Sequence, residues 1–354
     1  MVSLKNIAVP FNFLALRLPH LSQEPSILSI AIFHHFQKNK MKQSNMITSG
    51  DFSYAIEKDW AEKHHPDLNV HHCHEMVINR AGQIILVNTE PKNNIVIFEA
   101  DGRIIRTFTF GMKTAHGLTI SQENEQEFIY VTDAEQGHRV IKSDLSGNII
   151  QEFIAPIGWG TYRSLEQWKP TETTVAPNGD LYVADGYGEG YITHYNAAGD
   201  ILNVFGGKEV FDSPHGIAID YRFEEPRLLV TSRGEQSFYI CHLSGEIKQK
   251  VHLPDCWICR PVIKGELLYF AVIVTKDWFV YDGGILILNK KNQVISAPGM
   301  NMEKSRLDKA QFYIESDYTT FLNPHDVAVD DDGNIYVPQW LSGKTFPYKL
   351  HRIK

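Results

Sequence analysis

The chain is poor in cysteine. Its 354 residues hold four, Cys73, Cys241, Cys256 and Cys259, too few for the dense cross-linking on which small secreted scaffolds depend. This usage suggests a reducing compartment. Cys256 and Cys259 form one CxxC, "CWIC". It has no second pair to complete a zinc knuckle and no βαβ setting for a redox centre. No apolar run reaches the roughly 18 residues that a membrane span needs. An excess of basic charge is also missing: 34 Lys and Arg face 42 Asp and Glu, for a net charge of −8, which argues against nucleic acid as a partner. Helical periodicity of any length is absent after residue 74. What remains is 43% hydrophobic and 11% aromatic, a globular composition that excludes general disorder.

The first forty residues stand apart. Their apolar patches are interrupted by Pro10, Pro19 and Pro25, and their charge order is not that of a signal peptide. Residues 1–45 read as an extension of doubtful structure, with Met41 or Met46 as the alternative start, and residues 46–354 as the domain. The expected location is the cytoplasm. Secretion stays open because the N-terminus is ambiguous.

The domain is built from repeats, which decide a fold before anything else does. "PHDVAVDDDGNIYV" begins at Pro324, "PHGIAID" at Pro214, "AHGLTI" at Ala115, "CHEMVINRAGQIILV" at Cys73, "PTETTVAPNGDLYV" at Pro170 and the degenerate "CRPVIKGELLYFAV" at Cys259. The residues opening these phrases are His74, His116, Thr171, His215, Cys259 and His325, spaced 42, 55, 44, 44 and 66 apart. Each phrase is a strand–turn–strand. It is followed by a second hairpin with a Gly turn, as in "IVIFEADGRIIRTF". Four strands in ~45 residues make a propeller blade, so the chain reads as an all-β, six-bladed β-propeller. The last unit lacks its outer strand. Ring closure then calls for a strand from the N-terminal side, around "DFSYAIEKDW", because an open edge invites pairing. The long fifth unit carries residues 300–317, read as a loop or short helix.

The innermost strand of each blade lines the central channel, so the six opening residues form a ring at one mouth. His116, His215 and His325 come from alternate blades and converge at ~120°. Three imidazoles with an open position suit zinc or Fe, Co or Mn. His74 is a fourth imidazole beside them: a ligand, an outer group or a base. Glu75 and Asp326 follow two of the histidines and are candidates for a hard cation deeper in the channel.

These residues resemble the NHL-type six-bladed propellers and, within them, the peptidyl-α-hydroxyglycine α-amidating lyases. The matching phrases are "AHGLTI…FIYVTDAEQGHRVIKSD", "KPTETTVAPNGDLYVADGYGEGYITHYNAAGDIL", "SPHGIAID…LLVTSR", "ELLYFAV" and "NPHDVAVDDDGNIYV", spread over residues ~74–350. The resemblance implies that His116, His215 and His325 hold zinc. It implies that Tyr187 of "DGY" and Arg233 of "VTSR" are catalytic. It also implies that Asp326, with the carbonyls of Leu118 and Met76, holds a structural calcium. Three departures stand out. Thr89 occupies the place of a second active-site arginine, Gly188 that of a disulfide cysteine, and His74 and Glu75 have no counterpart.

The expected activity is therefore metal-dependent C–N cleavage of a carbinolamide or related small or peptide-like substrate by a monomer. Thr89, Glu75 and His74 line the rim. The competing reading is a non-catalytic NHL module that binds a protein or ligand. A lactonase-type propeller, with a channel calcium held by Glu, Asp and Asn, does not match a histidine trio.

Overall fold

The alternation of apolar and polar residues in each repeat becomes a four-stranded antiparallel sheet, and six such sheets make a propeller. The computed structural model describes residues 46–275, 282–304, 312–316 and 320–354; the expectation for residues 1–45 lies outside them. Blade 1 runs outward from Cys73–Ile78 through Ile84–Asn88 and Ile95–Phe98 to Ile104–Phe108. Blades 2, 3 and 4 follow the same order from inner strands Ala115–Glu123, Glu172–Val175 and Pro214–Asp220. Blade 5 starts at Val262–Lys264 and blade 6 at Ala328–Val329.

Blade 6 is completed from the other end of the chain. Phe52–Glu57 pairs antiparallel with Tyr348–Ile353, from Ser53 opposite Ile353 to Glu57 opposite Lys349. Met46–Ser49 adds a fifth strand outside it. The ring thus closes through the segment expected to close it. The expectation for residues 300–317 was wrong in type: Met300–Lys304 pairs antiparallel with Phe312–Ser316. Met300, Asn301, Met302 and Glu303 alternate apolar and polar, and Phe312, Tyr313 and Ile314 are strand formers.

No single core fills the middle. Apolar side chains from facing sheets form a layer at each blade interface. Ile85, Val87, Leu118 and Val131 join blades 1 and 2, while Phe238, Phe270 and Leu286 join blades 4 and 5. Each fully buried aliphatic or Phe side chain contributes about 1.5–3 kcal/mol. The channel is left to polar groups. Among the described residues, no helix is long and apolar enough to cross a membrane.

Candidate metal centre and channel

Consecutive residues on a strand normally point to opposite faces, yet His74 and Glu75 both serve the channel. A break in strand register explains this. The pairing of the inner strand slips between Cys73 and Glu75 in blade 1, between Ala115 and Leu118 in blade 2, and between Pro214 and Gly216 in blade 4. Each slip re-aims a side chain, as bulges do beside functional sites. The opening residues then form one ring, and the residues after them form a second.

Four imidazoles meet in the first ring. Ring centroids of His74 and His116 lie 4.5 Å apart, those of His116 and His215 4.7 Å, and those of His215 and His325 4.9 Å. All four are buried. His116 Nδ1 donates to the Thr171 carbonyl at 2.8 Å, and His325 Nδ1 to the His74 carbonyl at 3.0 Å. A carbonyl only accepts, so both rings are protonated at Nδ1 and keep a lone pair on Nε2, the second-layer arrangement that orients metal-binding histidines. His74 Nδ1 and His215 Nδ1 are buried without a hydrogen-bond partner.

Burial holds the four rings neutral. The His116 imidazole is pushed down to about 3 by burial, against its hydrogen bond to Thr171, and the other three lie well below the usual histidine range, with burial first among the causes and the neighbouring imidazoles and Arg233 adding to it. Neutral imidazole is the ligating form. One donor atom from each of His74, His116 and His325 can be chosen so that all lie within 4.8 Å of one another. His215 Nε2 lies 3.1 Å from His116 Nε2. Donors that share one tetrahedral ion at 2.0–2.1 Å stand roughly 3.3 Å apart; the three that gather as a possible metal-holding group are His74, His116 and His325, where the expected trio had His215 in place of His74.

Tyr187 reaches into the same cluster. Its hydroxyl lies 3.0 Å from His116 Nε2 and 3.1 Å from His215 Nε2, while 36% of the residue remains exposed. The ring therefore sits at the mouth with its hydroxyl turned inward. Burial pushes the phenol up to about 12, against the pull of Arg233. Arg233 is itself buried on a 3₁₀ turn, with Nη2 3.1 Å from the Cys259 thiol. Burial pushes that thiol up to about 11, with Arg233 opposing.

The loop that carries Tyr187 is held by Asp185. Its carboxylate accepts from the amides of Lys169 and Glu189, each at 2.7 Å, and from the Tyr162 hydroxyl at 2.7 Å. Gly188 is fixed by this packing, since a Cβ there would lie 2.1 Å from Asp185 Oδ1 and 2.2 Å from the Gln167 carbonyl. A cysteine at this position would force Asp185 and the Gln167 carbonyl to shift. All four cysteines are free and buried.

Thr89 follows the second strand of blade 1, Ile84–Asn88, and packs on the segment that leads into His74. Its hydroxyl donates to the His71 carbonyl at 2.9 Å and lies 3.3 Å from His71 Nδ1. His72 Nδ1 accepts from the Leu341 amide at 3.2 Å, and the His72 ring lies 6.2 Å from Trp340, which lies 6.5 Å from His325.

The second ring overturns the calcium expectation. The residues following the six openers are Glu75, Gly117, Glu172, Gly216, Arg260 and Asp326. The Arg260 guanidinium donates to Asp326 at 2.8 Å through both Nε and Nη2, to the Leu118 carbonyl at 2.9 Å and to the Met76 carbonyl at 2.7 Å. These are the three groups assigned to calcium, and a side-chain cation already satisfies them. Calcium does not fit. Glu75 lies on this side too: its Oε2 accepts from the Leu118 amide at 2.6 Å and stands 3.8 Å from Arg260.

No protein-family model matches the chain. NHL repeat-containing protein 3 of Homo sapiens is 23% identical over 199 residues, 53% of this chain and 56% of that protein. Peptidyl-alpha-hydroxyglycine alpha-amidating lyase 1 of Drosophila melanogaster is 26% identical over 270 residues, 67% of this chain and 44% of the lyase. Lyase 2 of the same organism is 24% identical over 307 residues, 73% of this chain and 68% of the lyase. The chain is a six-bladed β-propeller with homologues among the NHL repeat-containing proteins and the amidating lyases. It spans about half the length of the first relatives that it matches. Among solved structures, a streptogramin B lyase superposes with a TM-score of 0.58 at 14% identity, over 85% of this chain and 98% of that one. A luciferin-regenerating enzyme does so with 0.54 at 12%, over 84% and 95%. These two likenesses speak of fold alone.

Sequence reasoning missed Arg260, Glu172, Asp185, His72 and Trp340. A usable signal existed for the first two, which occupy the position after the opener in their own repeats. Asp185 is two residues before Tyr187 in "ADGY" and reads as a turn aspartate. His72 and Trp340 carry no pattern.

Proposed function

We propose that this propeller is a metal-dependent lyase that cleaves the C–N bond of a carbinolamide, the substrate type named in the amidating lyases it is similar to. The observation that carries the reading is the Tyr187 hydroxyl, within 3.1 Å of His215 Nε2 and 3.0 Å of His116 Nε2. His116, His215 and His325 are the residues that would hold a zinc-type ion, with His74 as a fourth imidazole; iron, cobalt and manganese share this ligand preference. When bound, such an ion polarises a substrate oxygen and lowers the pKa of its hydroxyl.

The chain's own groups do the rest. With a cation bound beside it to hold it as the phenolate, Tyr187 would take the proton of the substrate hydroxyl. The hydroxyl-bearing carbon becomes a carbonyl carbon as the C–N bond breaks, and the bonding pair leaves on nitrogen. Tyr187 returns the proton to that nitrogen, giving an amide and an aldehyde such as glyoxylate. Arg233 supplies the guanidinium fork for a carboxylate beside the reacting carbon. Thr89 stands where the resemblance puts the family's second arginine, so the remainder of the substrate would be recognised differently. The burial of the four imidazoles keeps protons from competing for their nitrogens.

Metal analysis of the purified protein, followed by assay of glyoxylate release from an α-hydroxyglycine compound, tests this. Bound metal and release are expected. Bound metal without release retires the lyase reading. Absence of metal favours the second reading, an NHL interaction module, which the similarity to NHL repeat-containing protein 3 supports.

A further inference from the structure

We propose that Arg260 is a built-in cation of the channel, bolting the blades together where a divalent ion would otherwise sit, and that the fold is consequently indifferent to calcium. The contacts that carry this are separate from the histidine cluster. One guanidinium on blade 5 reaches Asp326 of blade 6 bidentately, the Met76 carbonyl of blade 1 and the Leu118 carbonyl of blade 2. Glu172 of blade 3 stands 3.8 Å away. Five of the six blades therefore meet at one side chain.

The surrounding groups form a cage of the oxygen type that hard cations prefer. Its donors are three carboxylates, from Glu75, Glu172 and Asp326, and two carbonyls. Glu75 Oε1 and Glu172 Oε2 are buried and take no hydrogen bond from a donor group. The cage thus has more oxygen than the guanidinium satisfies. A calcium ion needs oxygens at 2.3–2.6 Å, and the same oxygens already lie 2.7–2.9 Å from guanidinium nitrogens, so both cations cannot occupy the cage together.

The fold makes room for the arginine on the sixth side. A Cβ on Gly216 would stand 2.3 Å from the Arg260 Cα, so blade 4 accommodates this residue by having no side chain there. Arginine is suited to the role because it is always charged and its planar fork matches a carboxylate.

The test is calcium-dependent thermal unfolding of the full chain and three variants. Metal-free wild type is expected to melt at the same temperature with millimolar calcium as with EGTA. Arg260→Ala leaves three carboxylates without a counter-charge and is expected to melt well below wild type, then to regain several degrees when calcium is added. Arg260→Lys keeps the charge without the fork and should melt at an intermediate temperature that calcium does not change. Asp326→Asn in the Arg260→Ala background should abolish the calcium response. If Arg260→Ala fails to fold, wild type and Arg260→Lys still decide the matter. A calcium-dependent rise in the melting temperature of wild type, or calcium binding to it at one ion per chain, overturns the proposal.

Discussion

The Tyr187 hydroxyl and His215 Nε2 face each other at 3.1 Å across the mouth of the channel, although the two residues come from neighbouring blades. Blade 3 delivers the tyrosine on the loop after its second strand, and blade 4 delivers the histidine where its inner strand opens. The propeller brings together groups that no single blade could juxtapose.

Tyr187→Phe removes the hydroxyl and keeps the ring. If this hydroxyl moves the proton, kcat should fall by about 10²–10⁴-fold, the usual contribution of a general acid–base group. Metal content, measured by elemental analysis, should not change. Loss of metal in the variant would instead make Tyr187 a ligand.

The closing strand predicts a stability effect far from the site. Tyr54 on Phe52–Glu57 is buried against Tyr269 and Phe321 in the layer between blades 5 and 6. Tyr54→Ala should cost about 3–5 kcal/mol, as for other large-to-small aromatic changes in a core. A chain shortened to begin at Met46 keeps both strands and should fold, whereas one beginning at Trp60 leaves Tyr348–Ile353 as an open edge and should aggregate. Urea unfolding and light scattering distinguish these outcomes.

The repeat was legible because turn chemistry recurs at fixed offsets. His74 to Gly82 and His325 to Gly333 keep the same interval, and both glycines adopt positive φ. The convergence of His116, His215 and His325 followed from their shared register. Arg260 escaped because its unit, with Cys259 as opener and Pro261 after it, departs from the repeat consensus. Reading every position that follows an opener would have placed one arginine among three acids. The register slips that aim His74 and Glu75 together have no sequence mark, since they arise from strand pairing. The hairpin at Met300–Ser316 was obscured by its charged middle, which suggested a helix or loop.

Asp185 predicts a pH effect. Burial raises its carboxyl to about 6, against hydrogen bonds from Tyr162, Lys169 and Glu189. An unfolded aspartate titrates near 3.9, so between roughly pH 4 and 6 the folded chain holds this proton more tightly. The contribution of Asp185 is therefore most favourable below about pH 4, declines as pH rises to about 6, and is constant above. A carbon-detected carboxyl titration should find its midpoint near 6; a midpoint at or below 4 would refute the burial argument. Asp185→Ala should also loosen the loop and lower kcat in the direction of Tyr187→Phe without affecting metal content.

Arg233 separates substrate recognition from chemistry. Its Nη2 is 3.1 Å from Cys259 Sγ, and it lies close enough to Tyr187 to lower the phenol's pKa against burial. Arg233 thus lies beside the Tyr187 hydroxyl, and on the proposed reading it would meet a substrate carboxylate next to the reacting carbon. Arg233→Ala should raise KM for a carboxylate-bearing carbinolamide by roughly 10²-fold or more, since hydrogen bonds to a charged group are worth about 1.5–3 kcal/mol each and a bidentate pair makes two. For an otherwise identical substrate with an uncharged amide in place of the carboxylate, the change should be small. Arg233→Lys should recover part of the affinity and none of the bidentate selectivity. Steady-state kinetics with the two substrates settles the point. An equal loss on both would assign Arg233 to the transition state or to the shape of the site rather than to carboxylate recognition. With metal content unchanged, the same loss in kcat as in Tyr187→Phe would further mean that its effect on the phenol dominates.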